Sequence, residues 1–459
     1  MPGAAGASFP DARSYTARGG MAMKEGGLKR QAMITAGSGA LVRLMGFGLR
    51  LWVSRLMGAE ALGVAELAAS AHALAVTPGA AGIPGAVSRL AAKAKTEKDA
   101  AGVLRCGRKM ALRLGLAVSL LFLLFSPWIA RLLGDGRTLP ALLLFSPCPL
   151  LIALSCAYDG YFFGRGRALP PNLSELGEQL VRLLTVAAFA YLIPRLSAAG
   201  RAGVIALGAL LGEAAGLWIV KRMAKGLPVP DRAADGGLRR RIRRLSLPLI
   251  LNRLCHAGLR SLCALVIPLR LMAGGASHAE ALSRLGMLNG MVMPLMFLPG
   301  LLTGALSAVG GPAAARCQTR RAERRLAGKM LSVSLLAGCG CALALYLLSP
   351  LLAARLYRLP ELAALIRQAC PLSVLLAAQT AVSGLMTGLG LQKKALFSAL
   401  PGSAATLFFT WLRTPGQGIA GAVEASLLGH GLTLLCCLIY LGSRLANRQE
   451  NRQERLSRR

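Results

Sequence analysis

Two stretches of ten residues form an internal repeat that indicates the fold: residues 41–50 are LVRLMGFGLR, and residues 251–260 are LNRLCHAGLR. Six of the ten positions are identical, and the offset of 210 residues is close to half of the 459-residue chain. Each stretch lies in a long apolar segment and carries two arginines seven residues apart, which places them on one face of a helix. The repeat predicts two similar halves, each with an arginine-bearing helix.

The composition around these stretches is that of a membrane protein. Hydrophobic residues make up 54% of the chain and charged residues only 16%, and the mean hydropathy is +0.54. These values exclude a disordered or an ordinary soluble protein. A secreted disulfide scaffold is excluded too, because 11 cysteines are few for this length.

A membrane-spanning helix needs about 20 apolar residues, and twelve segments meet that requirement. They lie at about 33–57, 62–86, 110–133, 139–163, 173–194, 202–220, 246–271, 283–310, 330–354, 363–390, 395–412 and 419–442. The predicted fold is an all-α integral membrane protein, with twelve transmembrane helices in two pseudo-symmetric lobes of six around a central cavity. Five prolines should kink or break the second, eighth and eleventh spans: Pro78, Pro84, Pro294, Pro299 and Pro401.

The charge pattern predicts the topology. The 54 Lys and Arg outnumber the 19 Asp and Glu, for a net charge of +35. A nucleic-acid partner is not predicted, because the basic residues stand in short gaps between apolar segments. Gaps on one side hold 38 of them and gaps on the other hold 11. This alternation predicts an even number of spans with both termini cytoplasmic.

The same pattern predicts the domain organisation. Residues 1–30 form a disordered cytoplasmic segment, 31–222 an N-lobe with spans 1–6, and 246–442 a C-lobe with spans 7–12. Basic cytoplasmic segments at 223–245 and 443–459 follow the two lobes. We expect the basic loops to contact anionic lipids. Six spans per half make the halves parallel repeats, and transporters of that kind bind substrate at the interface between halves.

The four repeated arginines are the candidate binding residues: Arg43, Arg50, Arg253 and Arg260. A charged side chain near the centre of a membrane helix costs about 2.5–3.5 kcal/mol on insertion scales. Few acidic residues in the spans could neutralise them, so we predict a cationic cavity for an anionic ligand. Arginine favours bidentate capture of phosphate oxygens. The alternative is that these arginines pair internally or extend to the membrane surface.

Span 5 carries a second polar group. Asn172 and Glu175 suit a helix start, and Glu178 and Arg182 stand at i and i+4 on one helix face. This pattern predicts either capping with a local ion pair or a gate beside the cavity. His72 and His256 are interpreted as hydrogen-bonded helix contacts rather than proton relays. The sequence contains no P-loop, GxSxG or HExxH motif, so no enzymatic activity, cofactor or metal is predicted.

Four ordered motifs resemble the polysaccharide flippase branch of the MOP exporter superfamily, and most closely its stage V sporulation protein B group. Residues 43–50 are similar to the pattern R-x-x-G-F-x-x-R, and residues 55–63 to R-x-x-G-A-E-G-x-G with Ala61 in place of a glycine. Residues 160–164 resemble G-Y-F-Q-G, and residues 174–182 resemble S-Q-x-x-E-Q-x-x-R with Glu175 in place of a glutamine. The resemblance covers about residues 33–440.

This resemblance implies a V of two lobes around a cationic cavity, and outward movement of undecaprenyl-pyrophosphate-linked saccharides or lipid II-like peptidoglycan precursors. By position, Arg43, Arg50, Arg253 and Arg260 would face the pyrophosphate. Glu178, Gln179 and Arg182 would form a cytoplasmic gate. Proteins of cell-wall synthesis are expected as further partners. Two alternatives stay open: a multidrug cation antiporter of the same fold, and a non-transporting membrane scaffold for cell-wall synthesis.

Overall fold

The computed structural model describes residues 25–228, 236–317 and 319–446, and within these ranges every regular element is helical. The first half contains seven α-helices: α1 Glu25–Met57, α2 Ala59–Lys93, α3 Glu97–Leu132, α4 Leu139–Phe145, α5 Cys148–Gly164, α6 Leu169–Phe189 and α7 Ala198–Met223. The second half contains eight: α8 Gly236–Ala273, α9 His278–Leu285, α10 Met293–Met296, α11 Gly300–Arg316, α12 Arg320–Leu351, α13 Leu362–Gly388, α14 Gln392–Gln417 and α15 Ile419–Ala446. π-helical turns at Gly286–Val292 and Leu352–Tyr357 continue α9 and α12.

The described helices account for the twelve predicted spans. Nine of them, some including a short neighbouring segment, are long and apolar enough to cross a membrane. A tenth span is the pair His278–Met296 and Gly300–Ser307, which is bent by 52°. The remaining two predicted spans coincide with α1 and α6, which contain too many charged residues to meet the same test of apolarity. They are the helices that carry Arg43 and Arg50, and Glu178 and Arg182.

The prolines interrupt fewer of the three spans than the prediction of kinks or breaks allowed. Only the eighth span is interrupted as expected, at residues 297–299 between α10 and α11. α2 continues through Pro78 and Pro84, and α14 continues through Pro401. An interior proline removes one backbone hydrogen bond, and a helix packed among neighbours tolerates that loss. The fourth span has a break that was not predicted, between α4 and α5 at residues 146–147.

The predicted boundaries also shift. α1 begins at Glu25 rather than at 31, and α8 begins at Gly236 rather than at 246. Part of the predicted basic linker is therefore helical, because Ile242 is fully buried in a cluster with Ala86 and Cys106. Most of the predicted N-terminal segment, residues 229–235 of the linker and residues 447–459 of the tail lie outside the described residues.

The two halves meet along α2, which packs against α8, α9 and the Gly286–Val292 turn. At one end of α2, a Cβ added to Gly82 would lie 2.7 Å from the carbonyl oxygen of Ser246 on α8. Further along, the Ser261 hydroxyl donates to the carbonyl oxygen of Ser70 at 2.7 Å. α1 reaches the second half at α11. The candidate arginines thus lie on helices beside this seam between the lobes.

Candidate functional site

Arg43 reaches from the first half of the protein into the second. Its Nη1 donates to the carbonyl oxygen of Gly300, the first residue of α11, at 3.3 Å. The same guanidinium lies against Gly304, where an added Cβ would overlap it. Only a glycine leaves room for this approach, so the pairing of α1 with α11 positions the charge of Arg43 between the lobes.

Arg50, two turns further along α1, has an acidic neighbour. Its Nη1 lies 3.8 Å from Oε1 of Glu66 on α2, and 58% of its side chain remains exposed. A pair this long and this open contributes at most about 1 kcal/mol. Arg50 therefore keeps most of its capacity to bind a second anion.

Arg253 and Arg260, the repeat partners of these residues, are both exposed on α8. Within residues 25–228, 236–317 and 319–446, neither makes a hydrogen bond or an ion pair. Internal pairing was the alternative interpretation of the four arginines. The structure supplies a carboxylate for Arg50 and a backbone carbonyl for Arg43, and among the described residues it supplies no partner for the two C-lobe guanidinium groups.

A hydrogen-bonded polar cluster lies near Arg260 in the C-lobe. His256 Nδ1 is 2.9 Å from the Ser403 hydroxyl on α14, and His430 Nδ1 is 3.1 Å from Oε1 of Gln379. Gln379 also donates to the backbone carbonyl of His430 at 2.6 Å. Arg260 interacts electrostatically with both histidines. Sequence reasoning expected a hydrogen-bonded His256 but missed the other three residues, because single polar residues in separate spans carry no local signal.

Two of the three predicted gate residues, Glu178 and Arg182, belong to a half-buried ion cluster between α6 and α7. Arg182 pairs with Glu178 on its own helix, and its Nη2 lies 2.7 Å from Oε1 of Glu213 on α7. A Cβ added to Gly212 would lie 2.9 Å from the carbonyl oxygen of Glu178, so the two backbones are close. The cluster has two carboxyl groups for one guanidinium, and Glu213 is its unpredicted member.

Gln179 points away from this cluster, toward α1. Its Oε1 would lie 3.7 Å from a Cβ added to Gly46. Gly46 stands between Arg43 and Arg50 on α1, so Gln179 lies beside the N-lobe arginines. The helix that carries the ion cluster therefore also contacts the helix that carries the candidate binding residues.

Two more titratable side chains of the N-lobe each have a buried polar atom without a hydrogen bond to any described residue. Asp159 Oδ1 on α5 and His72 Nδ1 on α2 are buried and make no hydrogen bond within the described part of the chain. The His72 ring stacks on Phe145 with 4.2 Å between ring centres, so its contact is an aromatic one rather than the predicted hydrogen bond. The N-lobe interior thus holds several carboxyl groups around Arg182, whereas Arg253 and Arg260 of the C-lobe have no acidic partner in the described part of the chain.

Comparisons with known proteins agree with this architecture. The family described as polysaccharide biosynthesis protein matches residues 28–318. Stage V sporulation protein B from Bacillus subtilis (strain 168) is 27% identical over 421 residues, which cover 88% of this chain and 81% of that protein.

Two solved structures share the fold. An inward-facing multidrug resistance MATE family transporter of the MOP superfamily superposes with a TM-score of 0.70 at 16% identity, over 90% of this chain and 99% of the other. A MOP superfamily transporter from Pyrococcus furiosus, described by the reverse polarity of its binding pocket, superposes with a TM-score of 0.66 at 15% identity. The match covers 92% of this chain and 95% of that one. The likeness confirms the predicted fold of twelve helices in two lobes.

Proposed function

Because this chain belongs to the polysaccharide biosynthesis protein family of the MOP exporter superfamily, we propose that it is a flippase for a saccharide linked to undecaprenyl pyrophosphate. A lipid II-like peptidoglycan precursor is the form of substrate we favour. The protein lies in the bacterial inner membrane with both termini cytoplasmic, which the alternation of basic gaps supports. It carries the head group from the inner to the outer leaflet.

The observation that carries this proposal is that Arg253 and Arg260, on one long apolar helix, have no hydrogen-bond or ion-pair partner among the described residues. Two unpaired guanidinium groups at this depth are unfavourable unless water or an anion solvates them. They stand two turns apart on one helix face, and each can present two N–H groups to phosphate oxygens. A pyrophosphate group has the charge and the oxygen atoms to bind such a surface.

Arg43 and Arg50 complete the proposed site from the N-lobe. Arg43 crosses to α11 through a single 3.3 Å hydrogen bond to a backbone carbonyl, which an incoming phosphate oxygen can replace. Arg50 has only a distant carboxylate. Binding between the lobes would let the head group contact both halves, so that rocking of one lobe against the other moves the site from one leaflet to the other.

A binding titration in nanodiscs tests the proposal. The ligand is an undecaprenyl-pyrophosphate-linked disaccharide, and the variants are Arg253→Ala and Arg260→Ala. Loss of a hydrogen bond to a charged group is worth about 1.5–3 kcal/mol, so each variant should raise Kd roughly 10- to 150-fold. Arg270→Ala is the matched control, because Arg270 lies on the same helix but donates to the carbonyl oxygen of Trp411 at 2.9 Å.

The contrary result is binding that is absent, or that survives the loss of both arginines. The half-buried carboxyl groups of Glu178, Glu213 and Asp159 support a second candidate, a multidrug cation antiporter of the same fold. A lipophilic cation titrated in parallel distinguishes the two. Cation binding that Glu213→Gln weakens and Arg253→Ala leaves unchanged would favour the antiporter.

A comparison of variants in cells tests the alternative that the protein is a non-transporting scaffold for proteins of cell-wall synthesis. If the protein only recruits proteins of cell-wall synthesis, removal of the intramembrane arginines should leave cellular function intact. Changes to the basic stretch at residues 239–244, where we propose contacts with anionic lipids or partner proteins, should then abolish it. For a flippase, the arginine variants should be the more damaging.

A further inference from the structure

One end of the bundle holds a chain of four charged or titratable side chains from both lobes. Arg137, just before α4, pairs with Glu60 at the start of α2 at 2.7 Å and with Asp135 at 2.9 Å. Asp135 is 5% exposed, and its Oδ2 lies 3.2 Å from Nε2 of His278, the first residue of α9. The first three residues belong to the N-lobe and His278 to the C-lobe, so the contact joins the lobes.

The helices directly beneath this chain touch backbone to backbone. A Cβ on Gly63 of α2 would overlap the carbonyl oxygen of Leu282 on α9, and one on Gly286 would overlap that of Ala59. Arg55 of α1 also crosses the lobes and donates to the carbonyl oxygen of Arg355 at 3.2 Å. This end, where α1 ends and α2 begins, is therefore closed. By the proposed topology it is the extracytoplasmic end.

We propose that Asp135 and His278 form a pH-sensitive latch that holds the lobes together at this end and must open before substrate leaves. The latch rests on the proposed alternating access, but it concerns a contact outside the substrate site. It is a gating contact between lobes, and Asp135 and His278 need not touch the transported lipid.

The charges around the latch set the direction of its response. Glu60, Arg137 and Asp135 together carry one net negative charge, and protonation of His278 neutralises the chain. On the same helix as His278, Glu280 and Arg284 pair with each other. Arg201 of α7 donates to the carbonyl oxygen of Met57, and Arg413 pairs with Glu424, so neither arginine competes for Asp135.

Asp135 remains the acceptor over a wide pH range. Burial alone would raise the pKa of Asp135, but hydrogen bonds from Arg137 and His278 outweigh it and hold that pKa below its ordinary value. Histidine is the side chain whose charge ordinarily changes between pH 5 and 8. A hydrogen bond from an imidazolium to a carboxylate is stronger than one from a neutral ring. Acid should therefore keep the latch closed, and a rise in pH should loosen it.

The accessibility of Leu62 measures the opening of this end. Leu62 is buried where α2 meets the Gly286–Val292 turn, against Gly290. A Leu62→Cys variant in nanodiscs is treated with a hydrophilic maleimide, and modification of that position is followed by mass spectrometry. The unsubstituted protein gives the background from native cysteines. The assay needs no substrate, so it separates failure of the latch from failure of the pyrophosphate site.

We expect the labelling rate of the Leu62→Cys variant at that position to rise about fivefold between pH 5.5 and 7.5. This is the change in the opening equilibrium that follows from the loss of an ion pair worth about 1 kcal/mol. His278→Asn should label at the high rate at both pH values, and His278→Lys, which keeps a cation, at the low rate at both. Glu280→Gln is the matched control, because its ion pair stays within the C-lobe, and it should retain the pH response of the parent. Equal labelling of the His278→Asn variant and its parent at both pH values would overturn the latch.

Discussion

The guanidinium of Arg43 lies against the backbone of Gly304, and a methyl group at position 304 would occupy the same space. This contact couples the first helix of the N-lobe to the broken eighth span of the C-lobe. Gly304 therefore controls where one of the four candidate arginines can place its charge.

We predict that Gly304→Ala weakens binding of the pyrophosphate lipid roughly three- to tenfold, because part of the charged hydrogen bonding of Arg43 is lost. The fold should survive, since only the flexible end of a side chain must move. Gly300→Ala is the control: its new methyl group would meet nothing within 4 Å. Nanodisc titrations of the two variants decide the matter, and identical affinities would argue against a role for Arg43 in binding.

The crossing of α2 and α9 should be intolerant of any side chain. Gly63→Ala and Gly286→Ala would each press a methyl group into a backbone carbonyl, which cannot rotate away. We predict a loss of about 1–3 kcal/mol for each, the range for overpacked interiors, seen as a lower melting temperature of the purified protein.

Two glycines with nothing within 4 Å of an added Cβ, Gly48 on α1 and Gly258 on α8, provide the controls for this series. Alanine at these positions should leave the melting temperature unchanged or raise it slightly, because alanine is the better helix former. If all four variants have the same melting temperature, the close approach of α2 and α9 does not hold the two lobes together.

The N-lobe ion cluster should be sensitive to which partner is removed. Arg182→Ala leaves Glu178 and Glu213 facing each other without a counter-charge, and breaking this half-buried pair costs at most roughly 3–5 kcal/mol, the range for fully buried pairs. Adding Glu213→Gln should recover part of that loss, because one of the two stranded carboxylates is gone. Thermal melting of the single and double variants measures the difference, and a double variant less stable than the single one would contradict the arrangement.

Asp135 predicts a defined pH dependence of stability. Because its pKa is lowered in the folded protein, the stabilisation from its ionised form is fully present above the ordinary value of about 4 and is lost as pH falls through the lowered one. Asp135→Asn should therefore reduce the melting temperature throughout the range from about pH 8 to pH 5, and by more toward pH 5, where the contact with His278 is stronger. The gap should narrow below about pH 4. A gap that already closes between pH 7 and 5 would mean that this carboxyl is not held ionised.

Much of the fold could be predicted from local patterns. The twelve apolar segments and the alternation of the basic gaps depend only on neighbouring residues in the chain. The repeat at 41–50 and 251–260 requires only a comparison of the chain with itself. The predictions that were wrong concern segments whose conformation depends on tertiary packing. Ile242 is buried and makes the basic linker helical, and Pro401 is held within a continuous α14, although each lies in a sequence that locally favours another state.

For the candidate site, the positions of the charged residues could be predicted, but their partners could not. The helices that carry arginine could be identified from the chain alone, because a charged residue in an apolar segment is evident without knowledge of its contacts. The partner of each charge follows only from the packing of the helices: Glu66 for Arg50, Glu213 for Arg182, a backbone carbonyl for Arg43, and none within the described residues for Arg253 and Arg260. Hydrogen bonds and ion pairs act over a few ångströms, and residues as distant in the chain as Arg43 and Gly300, 257 positions apart, reach that distance only when the helices pack.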